Sequence, residues 1–339
     1  MNSLITGVGG FIGFHVAKSL LIKKKSIYGI DNLNDYYDTE LKKNRIRLLK
    51  KIARKNKVNF FFYKKDLNDI VFLKNLFKKK SFTKVIHLAA QAGVRYSINN
   101  PEPYVRSNLL AFVNILEMCK HFKIKHLIFA SSSSVYGLTK EIPFSEKNNV
   151  SHPLNLYAAS KRSNEVIAHS YSYLYNIRIT GLRFFTVYGP WGRPDMAYFL
   201  FVKSIMKNKK IYINNYGKHK RDFSYIDYVV DGVIEIYNSK NIKKKINLSK
   251  LTPADSVAPF EIFNLASGRP IKLMDFINTI ENILGRKSKK VFLKYQKGDV
   301  KDTYADNKKF FKSYKARPNI DIKTGLSHFI NWYKEYYKI

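Results

Sequence analysis

The segment Thr6-Gly7-Val8-Gly9-Gly10-Phe11-Ile12-Gly13 sets glycines at 7, 10 and 13, between the apolar run Asn2 to Thr6 and the apolar helical pattern Phe11 to Leu21. Strand, glycine turn and helix in that order leave few folds open. Glycine permits a tight turn, lets the backbone approach a bound group and lets the helix pack against the strand. The first N–H groups of the helix remain free for an anion. A second strand, Ser26 to Ile30, ends at Asp31, where a carboxylate can accept hydrogen bonds from ribose hydroxyls. The combination predicts a dinucleotide site, with NAD preferred to NADP because an acid at position 31 disfavours a 2′-phosphate.

Further strand-like runs recur at Val58 to Tyr63, Lys84 to Leu88, Lys125 to Ala130 and Arg178 to Arg183, separated by helical sequence such as Asn108 to Phe122 and Tyr157 to Tyr175. Alternating β and α units predict an α/β fold, a Rossmann-type doubly wound parallel sheet covered on both faces. After Phe185 the rhythm breaks at Pro190, Gly192 and Pro194, with a helix near Tyr198 to Lys207 and a late strand around Glu261 to Asn264. The stretch Ser239 to Pro259 reads as an exposed connection. Residues 1–185 are therefore expected to form the cofactor domain, with later segments interleaved into it. Residues 186–339 are expected to form mainly a smaller C-terminal α/β region that binds substrate.

Composition narrows the function classes. The chain has 339 residues, 45% of them hydrophobic and 15% aromatic, enough to bury a sizeable core and unlike a disordered chain. Its apolar runs fall short of the roughly 18 to 20 residues of a membrane span, and the first residues carry no charged leader. A soluble cytoplasmic protein is expected. The single cysteine, Cys119, forms no intramolecular disulfide, and the histidines and cysteine lack zinc-ligand spacing, so no metal site is expected. The formal charge of +36 favours polyanions, yet only 13 of the 61 basic residues are Arg, and the lysines lie scattered in clusters such as Lys23 to Lys25 and Lys78 to Lys80. That pattern argues against a dedicated nucleic-acid reader. It suits faster capture of a small anionic ligand.

Tyr157 and Lys161 stand four residues apart, on one face of a helix. A phenol with an ordinary pKa near ~10 works as a base at neutral pH once a neighbouring cation and a positive nicotinamide lower it. Upstream, Ser131-Ser132-Ser133-Ser134-Val135-Tyr136-Gly137 follows an apolar strand, so its hydroxyls emerge at a strand's carboxyl end, where doubly wound sheets bind ligands. Hydroxyl, phenol and ammonium beside a nicotinamide make up machinery for alcohol oxidation.

Thr6 to Gly13, Asp31, Leu88-Ala89-Ala90, Ser131 to Gly137, Tyr157 with Lys161, and Arg183-Phe184-Phe185 together resemble the extended short-chain dehydrogenase/reductase superfamily, in its nucleotide-sugar epimerase and dehydratase branch. The strings Ala89 to Ser97, Gly181 to Met196, Arg221-Asp222-Phe223 and Gly298-Asp299-Val300 are similar to those of UDP-glucuronate 4-epimerases. The resemblance spans nearly the whole chain. It implies that Tyr157 is the base, that Lys161 lowers its pKa and holds the nicotinamide ribose, and that Ser132 or Ser134 bridges the sugar O4 and the phenol. It further implies NAD contacts from Gly7, Gly10, Phe11, Ile12, Gly13, Asp31, Asn32, Asp66, Leu67, Leu88, Ala89, Ala90, Asn108, Tyr157, Lys161 and Phe184. For Asp66, a turn-capping role is the competing reading. Substrate contacts are implied for Arg95, Ser133, Thr186, Arg193, Met196, Arg221 and Asp299. Among these, Arg193 and Thr186 are implied to face the sugar carboxylate, while Arg221 and Asp299 are implied to hold the UDP diphosphate and ribose. A homodimer built on the helices Asn108 to Phe122 and Tyr157 to Tyr175 is implied as well.

The implied reaction oxidises C4 of a UDP-sugar transiently, turns the 4-keto sugar over and reduces it on its other face, so that UDP-glucuronate becomes UDP-galacturonate. Decarboxylase and dehydratase relatives carry acids just before Val-Tyr-Gly, where this chain has only serines. Three alternatives remain at this stage. They are UDP-glucose/galactose 4-epimerase, UDP-glucuronate decarboxylase, and a basic NAD-binding protein associated with nucleic acid and lacking turnover.

Overall fold

The computed structural model describes residues 2–240, 252–253, 256–296, 298, 300 and 302–339. β1 (Asn2–Thr6) runs into α1 (Phe11–Ile22), followed by β2 (Ile27–Asp31), α2 (Thr39–Lys55), β3 (Phe60–Lys64), α3 (Ile70–Lys80) and β4 (Phe82–His87). The next crossover contains α4 (Val94–Asn99), the single turn α5 (Glu102–Tyr104), a π-helical turn at Val105–Leu110 and α6 (Ala111–His121), and it leads to β5 (His126–Ser132). α7 (Leu156–Tyr175) precedes β6 (Ile179–Phe184). The remainder comprises β7 (Thr186–Tyr188), α8 (Ala197–Met206), β8 (Lys210–Ile213), β9 (Lys220–Tyr225), α9 (Ile226–Asn238), β10 (Phe260–Leu265), β11 (Pro270–Lys272), α10 (Leu273–Leu284), β12 (Lys289–Phe292), α11 (Lys308–Ser313) and α12 (Ile322–Tyr337).

Seven parallel strands form the main sheet in the order β10-β6-β5-β4-β1-β2-β3. The order reverses direction between β1 and β4, and a doubly wound sheet opens a crevice at that point, beyond the carboxyl ends of its strands. Successive strand residues enter opposite cores. Ile5, Ile86 and Ile128 join the helices α1, α2 and α9 on one face. Leu4, Val85, Leu127 and Phe129 join α3, α6 and α7 on the other. Burial on both faces is why these strands read as continuous apolar runs rather than alternating ones.

The expected elements are present with ends displaced by a residue or two, and the expected helix Asn108 to Phe122 begins inside the π-helical turn. The exposed connection expected over Ser239 to Pro259 lies largely outside the described residues. Past β6 the chain builds a three-stranded sheet, β11-β9-β7, and a parallel pair, β12-β8, before and after β10 returns to the main sheet.

Asp222, on β9, holds these later segments together. Its fully buried carboxylate accepts hydrogen bonds from Ser267 N at 2.9 Å, Ser267 Oγ at 2.6 Å, Gly268 N at 3.0 Å and Ala305 N at 3.3 Å. The acid of the Arg-Asp-Phe string therefore faces the protein rather than a ligand. Replacing Asp222 by Ala removes the acceptor from three backbone donors, of which that of Ala305 is buried, at about 1–3 kcal/mol for each buried group left unpaired. Urea unfolding of the Asp222→Ala variant is expected to show a stability loss of that scale or larger; an unchanged midpoint would refute the assignment.

Candidate active site

At the reversal point of the sheet a cleft of about 1430 Å³, measured out to its open mouth, runs from the glycine turn to α7. Its floor is set by a backbone contact. Gly7 adopts φ +77°, and a Cβ there would stand 2.6 Å from Ala89 N; a Cβ on Gly13 would stand 2.0 Å from Gly7 O. Only glycine lets α1 press so closely on β1 and on the Leu88-Ala89-Ala90 segment. The first turn of α1 has no side-chain cap, so its N–H groups are available to an anion.

Gly7, Gly10, Phe11, Ile12, Gly13, Asp31, Asn32, Asp66, Leu67, Leu88, Ala89, Ala90 and Phe184 line this cleft together with Ser132, Tyr157, Lys161, Arg193 and Met196. Asp31 also shapes the turn itself, since Oδ2 accepts from Gly9 N and Oδ1 from Leu33 N, both at 2.8 Å. Burial pushes its carboxyl up, and those two hydrogen bonds oppose the shift. Asp66 accepts from Asn68 N at 2.8 Å, the turn-capping arrangement weighed above, and is met by Asn32 Nδ2 at 3.4 Å. Asn108 departs from expectation. It is buried behind the cleft, with its amide nitrogen donating to Gln91 O at 3.0 Å and Ser160 Oγ at 2.9 Å and its oxygen accepting from Gln91 N at 2.8 Å. It fixes the backbone that follows Ala90, which leaves no amide hydrogen for a ligand.

The serine run divides by direction. Ser132 ends β5 on the cleft, within hydrogen-bonding reach of the Tyr157 phenol, and caps the short turn that follows by accepting from Ser134 N at 3.2 Å. Ser134 stays off the cleft wall, and its Oγ meets Ser132 Oγ at 3.2 Å. Ser131 Oγ donates to Glu165 Oε1 at 2.6 Å, and Arg183 grips the same carboxylate through Nε and Nη2, each at 2.8 Å. This buried chain anchors the strand end that carries Ser132. Lys161, 3% exposed, donates to Ala130 O at 2.8 Å, and burial lowers its ammonium to about 8. Burial also raises the Tyr157 phenol, with Ser132 and Arg193 opposing and Asp195 reinforcing the shift. The sequence-based expectation of a lowered phenol included a positive nicotinamide, and without one the phenol is raised. Burial dominates at that depth, and a further positive charge would have to come from a ligand.

Several residues that sequence reasoning did not single out also shape the cleft. Arg45 is fully buried; Nη1 donates to Gly9 O at 2.7 Å and Tyr37 Oη at 2.8 Å, while Nη2 donates to Trp191 O at 2.5 Å and Gly192 O at 3.1 Å. It clamps the glycine turn to the loop carrying Arg193. Tyr36, Tyr37, Lys42 and Gln91 line the wall. Burial lowers the Lys42 ammonium to about 8, with Asp31 opposing. The irregular loop after β2 that bears Tyr36 and Tyr37 has no periodicity to betray it.

The expected substrate residues are less completely gathered. Arg193 reaches the cleft but is paired with Asp195, Nε to Oδ1 at 3.0 Å and Nη2 to Oδ2 at 2.6 Å. Thr186 begins β7, just beyond Phe184 and Phe185, and is not part of the cleft wall. Arg95 is exposed on α4, and Ser133 is half-buried in the turn after β5. Arg221 lies on β9 and donates to Lys220 O at 3.1 Å, in the neighbourhood of Asp302, which pairs with Lys220. Asp299 lies outside the described residues.

The Glu165–Arg183 pair yields a measurable consequence. Although burial on its own pushes the Glu165 carboxyl up, Arg183 and Ser131 hold it below the ordinary 4.5. The stabilisation from the pair is present above that value and is lost as the pH falls through the lowered one. Glu165→Gln leaves Arg183 as an uncompensated buried charge, a loss of about 3–5 kcal/mol. Melting curves should show a large gap from wild type at pH 7 that narrows in acid; a gap independent of pH would count against the charge pairing.

Comparison with known proteins agrees with this geometry. The NAD dependent epimerase/dehydratase family is matched over residues 3–249. UDP-glucuronate 4-epimerase 2 of Arabidopsis thaliana is 43% identical over 343 residues, covering 100% of this chain and 77% of the plant protein. The crystal structure of UDP-glucuronic acid 4-epimerase from Bacillus cereus, in complex with UDP-glucuronic acid and NAD, superposes with a TM-score of 0.88 at 32% identity, covering 99% of this chain and 100% of that one. The UDP-glucose 4-epimerase of Thermotoga maritima, solved with UDP-glucose, gives a TM-score of 0.85 at 25% identity, again over 99% and 100% of the two chains. With a doubly wound sheet, a glycine cradle at its reversal point and a serine, tyrosine and lysine at one end of the cleft, this chain belongs to the NAD dependent epimerase/dehydratase family.

Proposed function

We propose that the protein is an NAD-dependent 4-epimerase of UDP-glucuronate, forming UDP-galacturonate through a transient 4-keto sugar. The observation that carries this reading is the shared cleft: Ser132, Tyr157 and Lys161 stand with the Arg193 guanidinium, in a chain whose serine run lacks the acid that elimination chemistry would use. An Arg fork matches a planar carboxylate.

The residues present fit the dinucleotide. A Cβ at Gly7 or Gly13 would collide with the Leu88-Ala89 backbone or with Gly7 O, so glycine there lets the turn and α1 close up with the N–H groups of the first helical turn open to a pyrophosphate, and Asp31 presents its carboxylate at the end of β2. Phe11 and Ile12 would meet the diphosphate with backbone N–H groups, Gly10 would pack against it while its own N–H donates to Gly7 O at 3.0 Å, Asp31 and Asn32 would meet the adenosine ribose, Asp66 and Leu67 the adenine, and Lys161 the nicotinamide ribose. Bound NAD supplies the hydride acceptor, and its positive ring supplies the charge that would lower the Tyr157 phenol.

In this reading Tyr157 removes the O4 proton and later returns one. Ser132 orients O4, because it is the hydroxyl turned to the phenol, and Ser134 supports Ser132. Arg193 holds the C6 carboxylate. The 4-keto uronate is a β-keto acid, which loses carbon dioxide most readily when its carboxylate stands perpendicular to the carbonyl. Holding the carboxylate away from that orientation protects the product. Residues 1–185 together with β10 would form the cofactor half. The rest of 186–339 would form the sugar-nucleotide half, with Arg221 and Asp299 on the diphosphate and ribose.

Purified protein incubated with UDP-glucuronate and no added NAD should yield UDP-galacturonate, resolved by chromatography; UDP-xylose in its place would overturn the reading. Tyr157→Phe should lower kcat by about 10²- to 10⁴-fold, the usual span for losing a general base, with little change in melting temperature.

The association state follows from surface chemistry. Val105 and Leu110 on the π-helical turn, and Val166, Tyr173 and Leu174 on α7, are large apolar side chains left exposed. We assign these neighbouring helices to a homodimer interface, as two copies would bury both apolar sets. Light scattering should give twice the chain mass, and Val166→Asp with Leu174→Asp should give the monomer; a monomeric wild type would remove the assignment.

A further inference from the structure

Arg193 is held from behind. Asp195 takes its Nε and Nη2 in a two-bonded grip, and Asp195 itself is fixed by Tyr36, whose hydroxyl donates to Oδ2 at 3.1 Å. Tyr36 is in turn lodged tightly. Its ring packs on Tyr96 with centroids 4.9 Å apart, and a Cβ at Gly93, where φ is +104°, would stand 2.3 Å from its hydroxyl. Arg193 and Tyr36 face the cleft, whereas Asp195 is not part of its wall. The side chains of Arg193 and Asp195 are 22% and 26% exposed, so their pairing is only partly screened by solvent. Although burial pushes the Asp195 carboxyl up, Arg193 and Tyr36 hold it below its ordinary value, so it remains an anion at neutral pH.

A guanidinium already engaged by one carboxylate attracts a second more weakly, because the two anions share one cation and repel each other. This bears on a reaction in which the sugar must present first one face and then the other. A full, undivided Arg grip on the C6 carboxylate would hold the keto sugar in one pose. Resting on the uronate 4-epimerase reading above, we propose that Asp195 is a positioning residue that fixes Arg193 and divides its charge, so that the substrate carboxylate is held loosely enough for the 4-keto ring to turn between half-reactions. Tyr36 tunes this balance by drawing on the Asp195 oxygen that bonds Nη2.

The test uses the protein saturated with NAD and compares UDP-glucuronate with UDP-glucose. Asp195→Asn keeps an oxygen for Arg193 but removes the competing charge. Its KM for UDP-glucuronate is expected to fall roughly tenfold, the scale of a one-unit shift between neighbouring charges. Its kcat on the same substrate should fall with it, while the KM for the neutral hexose, which has no carboxylate for Arg193 to hold, stays as in wild type. A merely structural role predicts the opposite, a higher KM and a lower melting temperature. Tyr36→Phe, which leaves Asp195 to pair more strongly with Arg193, should raise the uronate KM, and it carries the test should Asp195→Asn fail to fold. An Asp195→Asn enzyme with unchanged or higher uronate KM, or a Tyr36→Phe enzyme with a lowered one, would overturn this inference alone. A wild type that converts no UDP-glucuronate would overturn the proposed activity and this inference with it.

Discussion

Among the described residues Lys42, Arg45, Arg183 and Lys161 are buried around one cleft, and the rest of the site is arranged by how the last three are compensated. Arg45 is fully buried, Arg183 is 2% exposed and Lys161 is 3% exposed. Moving a charged group out of water costs several kcal/mol unless oxygen atoms replace the hydration shell. Arg45 gathers the carbonyls of Gly9, Trp191 and Gly192 with the Tyr37 hydroxyl, and Arg183 takes the Glu165 carboxylate. Lys161 differs. Among the described residues its hydrogen bond goes to one carbonyl, Ala130 O, and burial accordingly lowers its ammonium to about 8. The two arginines brace the fold. Lys161 is left undercompensated at the place where the proposed chemistry needs donors for a ribose and a phenol.

The bracing is directional. Arg45 reaches from α2 to both the glycine turn and the Trp191-Gly192 loop, so the part of the cleft suited to a dinucleotide and the part suited to a sugar acid are joined through one side chain. Glu165 lies one helical turn beyond Lys161 on α7 and ties that helix to β5 through Ser131 and to β6 through Arg183. The spacing from Tyr157 through Lys161 to Glu165 therefore places phenol, ammonium and structural anchor along one side of α7. A shift of the helix would disturb all three together.

Legibility in the sequence followed the physics of each element. The strands of the main sheet were visible because burial on both faces makes them continuous apolar runs, and the turn was visible because its close backbone contacts demand glycine. Tyr157 and Lys161 were legible from helical spacing. Asn108, expected on the cofactor, is engaged with Gln91 and Ser160 behind the cleft, and a sequence cannot tell a polar side chain that faces a cleft from one that ties down the backbone behind it. The sequence leaves Ser132 and Ser134 open because β5 ends between them, so that Ser132 lines the cleft from the strand while Ser134 lies in the turn that follows. Arg45 and Asp195 went unnoticed for a shared reason. Each owes its position to segments far apart in the chain or to an irregular loop, and neither periodicity nor spacing reports such contacts.

The electrostatics of the site also bear on why a chain of this kind depends on a cofactor. Burial drives Tyr157 and Lys161 in opposite pKa directions, yet both shifts favour the neutral form. Arg193 pulls the phenol down, but Asp195 pushes it back. The described side chains thus leave Tyr157 protonated at neutral pH, unable to take a proton from a sugar hydroxyl. In the proposed reaction the base gains its strength from a positive charge brought in with the dinucleotide, in the same volume that accepts the hydride. Proton removal and hydride removal are then tied to one occupancy, and a sugar entering a cleft without NAD meets a phenol that donates hydrogen bonds rather than a base.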